Sequence, residues 1–514
     1  MLRADFYPHA TDDPITLVQT HISWVLLTGP YAYKVKKPVD LGFVDFSTLE
    51  RRRHFCDEEV RLNRRGAPGI YLEVVAIVER AEGYRLDGPG EAVEYAVKMR
   101  QFPADAQFSR MLPEGRVNDA LIERLARTVA EYHAAAESND FISQFGRPQA
   151  VRQSIEDNYR HTQRFIGGTQ TREQFEGTRL FTENFFADRS ALLTARVESR
   201  RIRQCHGDLH LGNICLWEEE IQLFDCIEFN EAFRFIDVIQ DAAFAAMDLA
   251  AGGRADLATL FLNEYVERTG DWDAFQVLPL YLTRHAYVRA KVNSILWEDA
   301  QLSAAARDKA RQQAELYYRL AYQYTRPRQG RIIAMSGLSG SGKSTVARRL
   351  ARESGAVVIR SDAVRKHLAG IPLDQRGRAE MYSAGMTQRT YDRMLTLATS
   401  ITVHGGVAIL DARYDRRDLR LALLARAREA GLPLQFLHCL APPEVLRDRL
   451  NRRQGDVSDA TADLLAAQEA QFEPFSDPER PFVTTVHTGG GCYENDLRQL
   501  GIPPIEASGK SRTP

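Results

Sequence analysis

Apolar positions open this chain in short runs broken by turns. Ile22 to Leu27 and Tyr31 to Lys37 read as two strands about a Thr28-Gly29-Pro30 turn. Ser47 to Arg65 is charged, with apolar residues at helical spacing, and predicts a helix. Val74 to Val78 and Tyr95 to Met99 predict strands, separated by a polar turn around Gly83 and Gly88-Pro89-Gly90. From Asn118 to Val197 the pattern is helical. Two short strand runs follow, Ile214 to Trp217 and Ile221 to Phe224, and helical periodicity resumes from Phe235 toward Tyr324. The polar segment 324–330 carries Pro327 and Gly330 and precedes a fresh apolar run, which places a domain boundary there.

Beyond that boundary the rhythm changes. Apolar runs at Ile332 to Met335, Val357 to Ile359, Val407 to Leu410 and Leu434 to Leu440 alternate with helical stretches. Such alternation predicts a parallel sheet with right-handed crossovers. The segment 504–514 is small and polar and predicts a disordered tail.

Composition narrows the class without naming a chemistry. At 514 residues the chain has room for roughly two to four domains. The 67 basic and 69 acidic residues nearly cancel, which gives no reason to expect a nucleic-acid or membrane partner. No run approaches the roughly 18 apolar residues of a membrane span, and the first residues lack the apolar core of a signal peptide. The expected location is the cytoplasm. None of the six cysteines forms a C-x-x-C pair, so reduced thiols are expected. Cys205, Cys215 and Cys226 cluster near a motif described below and read as small packing residues rather than metal ligands.

The clearest chemistry lies after the boundary. Gly337-Leu338-Ser339-Gly340-Ser341-Gly342-Lys343-Ser344 fits G-x-x-x-x-G-K-[ST], entered by an apolar strand and left by a helix. Glycines let backbone N–H groups curl around a triphosphate, and the helix N-terminus adds positive potential. Gly337, Ser339, Gly340, Ser341, Gly342, Lys343, Ser344 and the following Thr345 are therefore expected to bind ATP. Lys343 is to reach the β- and γ-phosphates and Ser344 to hold Mg²⁺. Asp362 and Asp411 follow the next two strands, at the carboxyl ends where open α/β sheets bind ligands. Asp362 is expected to orient or deprotonate an acceptor hydroxyl and Asp411 to hold Mg²⁺ through water. Arg447, Arg449, Arg452 and Arg453 crowd one amphipathic helix and are all lid candidates. The segment resembles small-molecule kinases of the P-loop class, the group of gluconate, shikimate and zeta-toxin-like kinases. That resemblance implies an α/β P-loop NTPase domain over 328–503 and makes Arg365 a candidate contact for a substrate anion.

A second constellation precedes the boundary. His206-Gly207-Asp208 is followed by Asn213, and Asp225 comes twelve residues later after an apolar run. Phosphoryl transfer accounts for the spacing: Asp208 for the acceptor hydroxyl, Asn213 and Asp225 for Mg²⁺. Upstream, Lys34 in Tyr31-Ala32-Tyr33-Lys34-Val35 is the first choice for a phosphate-binding lysine, with Lys36 on the same strand face as alternative. Glu58 is the preferred helical partner for that lysine, and Glu59 stands next to it. In form, H-G-D-x-x-x-x-N with a later Asp225-Cys226-Ile227 resembles the aminoglycoside phosphotransferases and choline kinases. The resemblance implies an α+β, two-lobed kinase-like domain over 1–327 that binds ATP and a small hydroxyl acceptor. Leu17 to Leu27 contains no glycine, a departure from the glycine-rich loop of kinases. Residues such as Glu264, Glu267, Arg284, Arg289 and Lys291 give the later helices mixed charge, so aminoglycoside specificity is not implied. The whole resembles a bacterial fusion of an aminoglycoside-phosphotransferase-like domain with a P-loop domain. Three functions are compatible with the sequence: an enzyme with two ATP-dependent kinase modules acting on hydroxyls of a sugar, sugar acid or nucleotide sugar; a P-loop ATPase or switch joined to a non-catalytic kinase-like binding domain; or a toxin-like kinase acting on a nucleotide sugar, which the zeta-toxin resemblance implies.

Overall fold

The computed structural model describes residues 1–490 other than 13, 82 and 453–456. Cys492, the lid candidate Arg453 and the 504–514 tail lie outside the described residues. The chain gathers into two compact units: Met1–Asp157 with Phe186–Asp248, and Asn158–Phe185 with the chain from Leu249 onward.

The first unit opens with six antiparallel strands: β1 (Thr16–Gln19), β2 (Ser23–Leu27), β3 (Tyr31–Lys36), β4 (Tyr71–Arg80), β5 (Gly83–Leu86) and β6 (Ala92–Arg100). Their order is β1-β2-β3-β6-β4-β5, so β3 is an interior strand. Its two-residue alternation divides the chemistry by face. Tyr33 and Val35 join an aromatic cluster with Phe6 and Tyr7 on one side. Ala32 turns to the other, where the helix Leu49–Asn63 packs through Cys56 and Val60 against Val97 and Met99. Lys34 and Lys36 share that helix-facing side. The helix starts where Thr48 accepts a hydrogen bond from the Arg51 N–H.

Later in the same unit, β7 (Ile202–Gln204) pairs with β10 (Phe235–Asp237), and β8 (Ile214–Trp217) with β9 (Glu220–Leu223). The pattern predicted helix from Phe235. Instead Phe235–Asp237 is a strand, and the helix Val238–Ala251 begins after it. Asp237 decides the switch: its carboxylate pairs with buried Arg196 at 2.7 Å and accepts from the Ile239 N–H.

The second unit carries a five-stranded parallel sheet of β11 (Arg331–Ser336), β12 (Val357–Arg360), β13 (Val407–Asp411), β14 (Leu434–Leu440) and β15 (Val483–His487), ordered β12-β13-β11-β14-β15. The alternating runs predicted the first four. β15 escaped notice because Thr484 and Thr485 interrupt its apolar pattern. At the opposite edge, β12 is covered by side chains from before the sheet. Asn263, on the helix Ala255–Thr269, donates to the Ala356 carbonyl at 3.0 Å and accepts from the Val358 N–H at 2.7 Å. The buried Trp272 indole N–H donates to the Val358 carbonyl at 3.1 Å. An edge strand left bare is a template for pairing with another chain, and these contacts remove that liability. Among the described residues no helix is long and apolar enough to cross a membrane.

Candidate active sites

In the first unit an ionic cluster forms where β3 meets the helix Leu49–Asn63, buried at Lys36, Glu59 and Glu228 and half-exposed at the Asp225 carboxylate. Lys34 Nζ lies 2.7 Å from Glu59 and 2.6 Å from Asp225. Lys36 Nζ lies 2.7 Å from the other Glu59 oxygen and pairs closely with Glu228. The helical partner of the strand lysine is thus Glu59, not Glu58. Helical phase explains the correction: Glu59 faces the sheet and is fully buried, whereas Glu58 is turned a hundred degrees or so away and pairs with Arg61 at 2.7 Å near the surface. Both candidate lysines share the one carboxylate. Glu228 was not singled out in the sequence, since its only signal is a position three residues past Asp225.

Charge states follow from this packing. Burial raises the carboxyls of Glu59 and Asp225, but the adjacent ammonium groups outweigh it and hold both below the usual range. For Glu228 burial dominates and its carboxyl is raised despite Lys36. Burial works against the Lys34 ammonium, yet Asp225 and Glu59 keep it firmly charged.

The loop 206–213 is held from beneath by Asp241, a residue the sequence did not point to. Asp241 accepts from the His206 N–H at 2.8 Å and the Gly207 N–H at 2.9 Å, and bonds His133 Nε2 at 3.0 Å. Asn213 Nδ2 donates to the Asp208 carbonyl at 3.0 Å and to its carboxylate at 3.1 Å. The neighbouring strand is tied in by Phe224, whose N–H donates to the Asn213 carbonyl at 3.0 Å and whose carbonyl accepts from the His206 ring at 2.9 Å. Asp225 then leaves with φ +62, a left-handed turn that brings its carboxylate back to Lys34. Burial depresses the His206 imidazole, so it is neutral and serves as a strut. Cys205, His133 and Asp241 stand close enough to share an ion, but Asp241 is already committed to the loop, and Cys215 and Cys226 are outside that trio. All three cysteines are buried and free, in keeping with packing roles.

Exchanging Glu59 for Gln leaves two buried lysines short of a counter-charge and is expected to cost about 3–5 kcal/mol of stability. Glu58→Gln removes only a surface pair and is expected to cost under about 1 kcal/mol. Urea unfolding of the two variants checks the difference, and equal losses overturn the assignment of Glu59.

The second unit holds the P-loop. Gly337, Gly340 and Gly342 all have positive φ. A Cβ at Gly337 meets the Cys439 carbonyl at 2.5 Å, so side chains are excluded where the loop must fold tightly. Lys343 Nζ curls back on the Gly337 and Leu338 carbonyls at 2.9 and 2.7 Å. Burial lowers its ammonium, against the opposing pull of Asp411. Ser344 and exposed Thr345 follow in the first turn of the helix Lys343–Ser354. Ser339 N–H donates to the buried Gln468 side chain at 3.0 Å, and the Ser341 hydroxyl is buried without a hydrogen-bond partner. Asp411 ends β13, buried, and Asp362 lies in the first turn of the helix Ser361–Ala369; both act electrostatically on Lys343.

The lid arginines separate. Arg449 is tied down, donating to the Gly340 carbonyl at 3.2 Å and the Thr488 carbonyl at 2.7 Å, while Thr488 Oγ1 donates to the Ser341 carbonyl at 2.8 Å. Together they brace the loop from outside. Arg452 pairs with Asp448 on the helix surface, and Arg447 is exposed. Arg365 is buried; one of its nitrogens holds the Met381 carbonyl at 2.9 Å and Thr387 Oγ1 at 3.2 Å, while its Nε has no hydrogen-bond partner. Arg413, two residues past Asp411 and electrostatically coupled to Lys343, is a further cation that the sequence reading passed over.

Comparison with known proteins finds one family model over the Asp208 loop and another over the P-loop. The model described as "Phosphotransferase enzyme family" matches residues 95–278, and the one described as "AAA domain" matches 332–475. The uncharacterized protein Rv2004c of Mycobacterium tuberculosis is 31% identical over 476 residues, covering 91% of this chain and 92% of its own. The chain belongs to that family. This chain joins an aminoglycoside-phosphotransferase-like region to a P-loop kinase region in one polypeptide. The P-loop region alone is also similar to an adenylyl-sulfate kinase of Chloroflexus aurantiacus, 32% identical over 168 residues, or 31% of this chain and 80% of that protein. A choline/ethanolamine kinase family protein from Mesorhizobium loti aligns at TM-score 0.35 and 11% identity, over 62% of this chain and 93% of its own. Both regions of the chain are kinase-like, which supports phosphotransfer as the general activity.

Proposed function

We propose that this protein is an ATP-dependent phosphotransferase with two kinase modules, 1–327 and 328–503, each moving a γ-phosphoryl group to a hydroxyl of a small metabolite. The observation that carries the reading is the convergence of Lys34, Glu59 and Asp225 in one ionic cluster, with Phe224, the neighbour of Asp225, tied to Asn213 of the Asp208–Asn213 loop. A mere binding domain has no need to bury two lysines among three carboxylates, an arrangement that is costly unless the charges are used.

At the first site, Lys34 is released from Asp225 to meet the phosphates, and Glu59 keeps the lysine aimed. Asp208 takes the proton of the acceptor hydroxyl as its oxygen attacks the γ-phosphorus. Asn213 directs its amide N–H to Asp208 and so leaves its carbonyl oxygen, with the Asp225 carboxylate, as an oxygen donor set that fits Mg²⁺. At the second site, the glycine cradle fits a triphosphate, and Ser344 and Asp411 are the residues to hold Mg²⁺, with Asp362 on the acceptor proton. Bound Mg²⁺ supplies charge neutralisation to both reactions; the protein supplies positioning. The five cysteines among the described residues are buried and free, which fits a cytoplasmic setting, where ATP is abundant.

Steady ADP release is the test, measured with sugars, sugar acids, aminoglycosides, nucleotide sugars and adenylyl sulfate as acceptors. An acceptor-stimulated rate is expected. The β1–β2 turn at Thr20-His21-Ile22, which has no glycine to close over phosphates, favours the second reading, a P-loop ATPase with a binding domain. A slow rate that no acceptor stimulates, lost in Lys343→Ala but kept in Asp208→Ala, establishes that second reading instead.

A further inference from the structure

The strand that offers Lys34 carries a second lysine two residues on, and the two divide the oxygens of Glu59 between them. Lys36 Nζ donates to Glu59 Oε2 at 2.7 Å, and Lys34 Nζ lies 2.7 Å from Oε1. The two contacts are not alike. Lys34 aims its hydrogen bond at Asp225, at 2.6 Å, so Glu59 Oε1 is buried beside an ammonium and accepts no hydrogen bond. A buried acceptor left in that state is costly, and it asks for an explanation. Lys36 is fully engaged. Its Nζ also donates to Glu228 and stands 4.8 Å from the Phe46 ring centroid, and its side chain is 1% exposed. Glu228 is fastened in turn: its carbonyl accepts from Arg234 at 3.1 Å, and the preceding Ile227 N–H donates to the His206 carbonyl at 3.1 Å.

We propose that Lys36 is a positioning residue for the first site: it holds Glu59 by Oε2, so that Oε1 stands ready for the Lys34 ammonium when Lys34 leaves Asp225 for the phosphates. The proposal rests on the reading of Lys34 as the phosphate-binding lysine. Lys36 then touches neither nucleotide nor acceptor and acts through Glu59. The need for it is physical. The last torsion of a glutamate is broad, so the carboxylate head is not aimed by its own rotamer and takes its direction from a partner. Two-residue spacing on a strand puts that partner on the same face as Lys34.

The test is calorimetric titration of ATP with excess Mg²⁺ into the full chain carrying Lys343→Ala to weaken the P-loop site. Lys34→Met identifies the first-site signal by removing it. Lys36→Met is expected to weaken that binding about tenfold, the scale of one charged hydrogen bond lost to misalignment. It is also expected to lower the urea midpoint, because Glu228 loses its counter-charge. Joining Glu228→Leu to Lys36→Met takes out an anion together with the cation. That double variant is expected to regain the stability and yet keep the tenfold loss, since nothing holds Glu59 Oε2. If affinity returns along with stability, Lys36 does no more than neutralise Glu228, and the proposal is overturned. Parental affinity in Lys36→Met overturns it as well. Should Lys36→Met fail to fold, the charge-balanced double variant carries the test alone, and parental affinity there is the overturning result. Lys34→Met separates the two levels: if it leaves ATP binding intact, the reading of Lys34 fails and takes the proposal with it, whereas lost binding in Lys34→Met beside parental binding in Lys36→Met defeats the proposal alone.

Discussion

A Lys343→Ala chain is expected to release ADP from the P-loop site about 10³-fold more slowly than the parent, the scale on which transition-state charge stabilisers act. Lys343 is the one ammonium that the loop itself supplies, and its present bonds are to the loop's own carbonyls at 2.9 and 2.7 Å. Those carbonyls are poor competitors for it once a triphosphate arrives, so the side chain is poised rather than locked. Burial lowers the pKa of its ammonium, and a bound phosphate works in the opposite direction by favouring the charged form. Removal of the side chain relieves that burial, so the fold is expected to survive, and an unchanged melting temperature is the control. Single-turnover ADP release in an Asp208→Ala background isolates the site. A rate equal to the parent's means that nucleotide is processed elsewhere.

The second large effect belongs to Asp208. Its replacement by Ala, in a Lys343→Ala background, is expected to slow acceptor-dependent transfer by about 10²–10⁴-fold, the usual contribution of a general base. The KM for ATP is expected to hold. Asn213 keeps a bond to the residue-208 carbonyl, which does not depend on the side chain, and Asp241 still anchors the His206 and Gly207 N–H groups. The loop should therefore keep its shape while losing its base. A variant that no longer binds ATP contradicts the role given to Asp208, because its place would then be on the nucleotide side.

Much of this was legible in the sequence because phosphate binding writes itself into local spacing. The P-loop, Asp208 with Asn213, and the strand lysine each declare themselves within a few residues, since a tight loop or a strand face fixes the geometry. Glu58 against Glu59 was not decidable in that way. Adjacent residues on one helix differ only in phase, and the phase is set by which side packs on the sheet. Asp241 was less visible still. It acts across a long sequence separation through the His206 and Gly207 N–H groups, which leaves no motif behind. The four lid arginines looked equivalent as a pattern; Thr488, nearly forty residues on, is what distinguishes Arg449.

The covered edge of β12 bears on heredity. A gene broken at the 324–330 linker yields a downstream product whose outermost strand has lost Asn263 and Trp272, the groups that occupy its Val358 N–H and carbonyl. Such a fragment starts life with a sticky border and without Glu267, which pairs with Arg360 at 3.1 Å. The upstream product inherits a large indole and an asparagine with nothing to hold. Fission is thus penalised on both sides of the cut, and the two kinase-like regions are held at a sheet border as well as by the peptide between them.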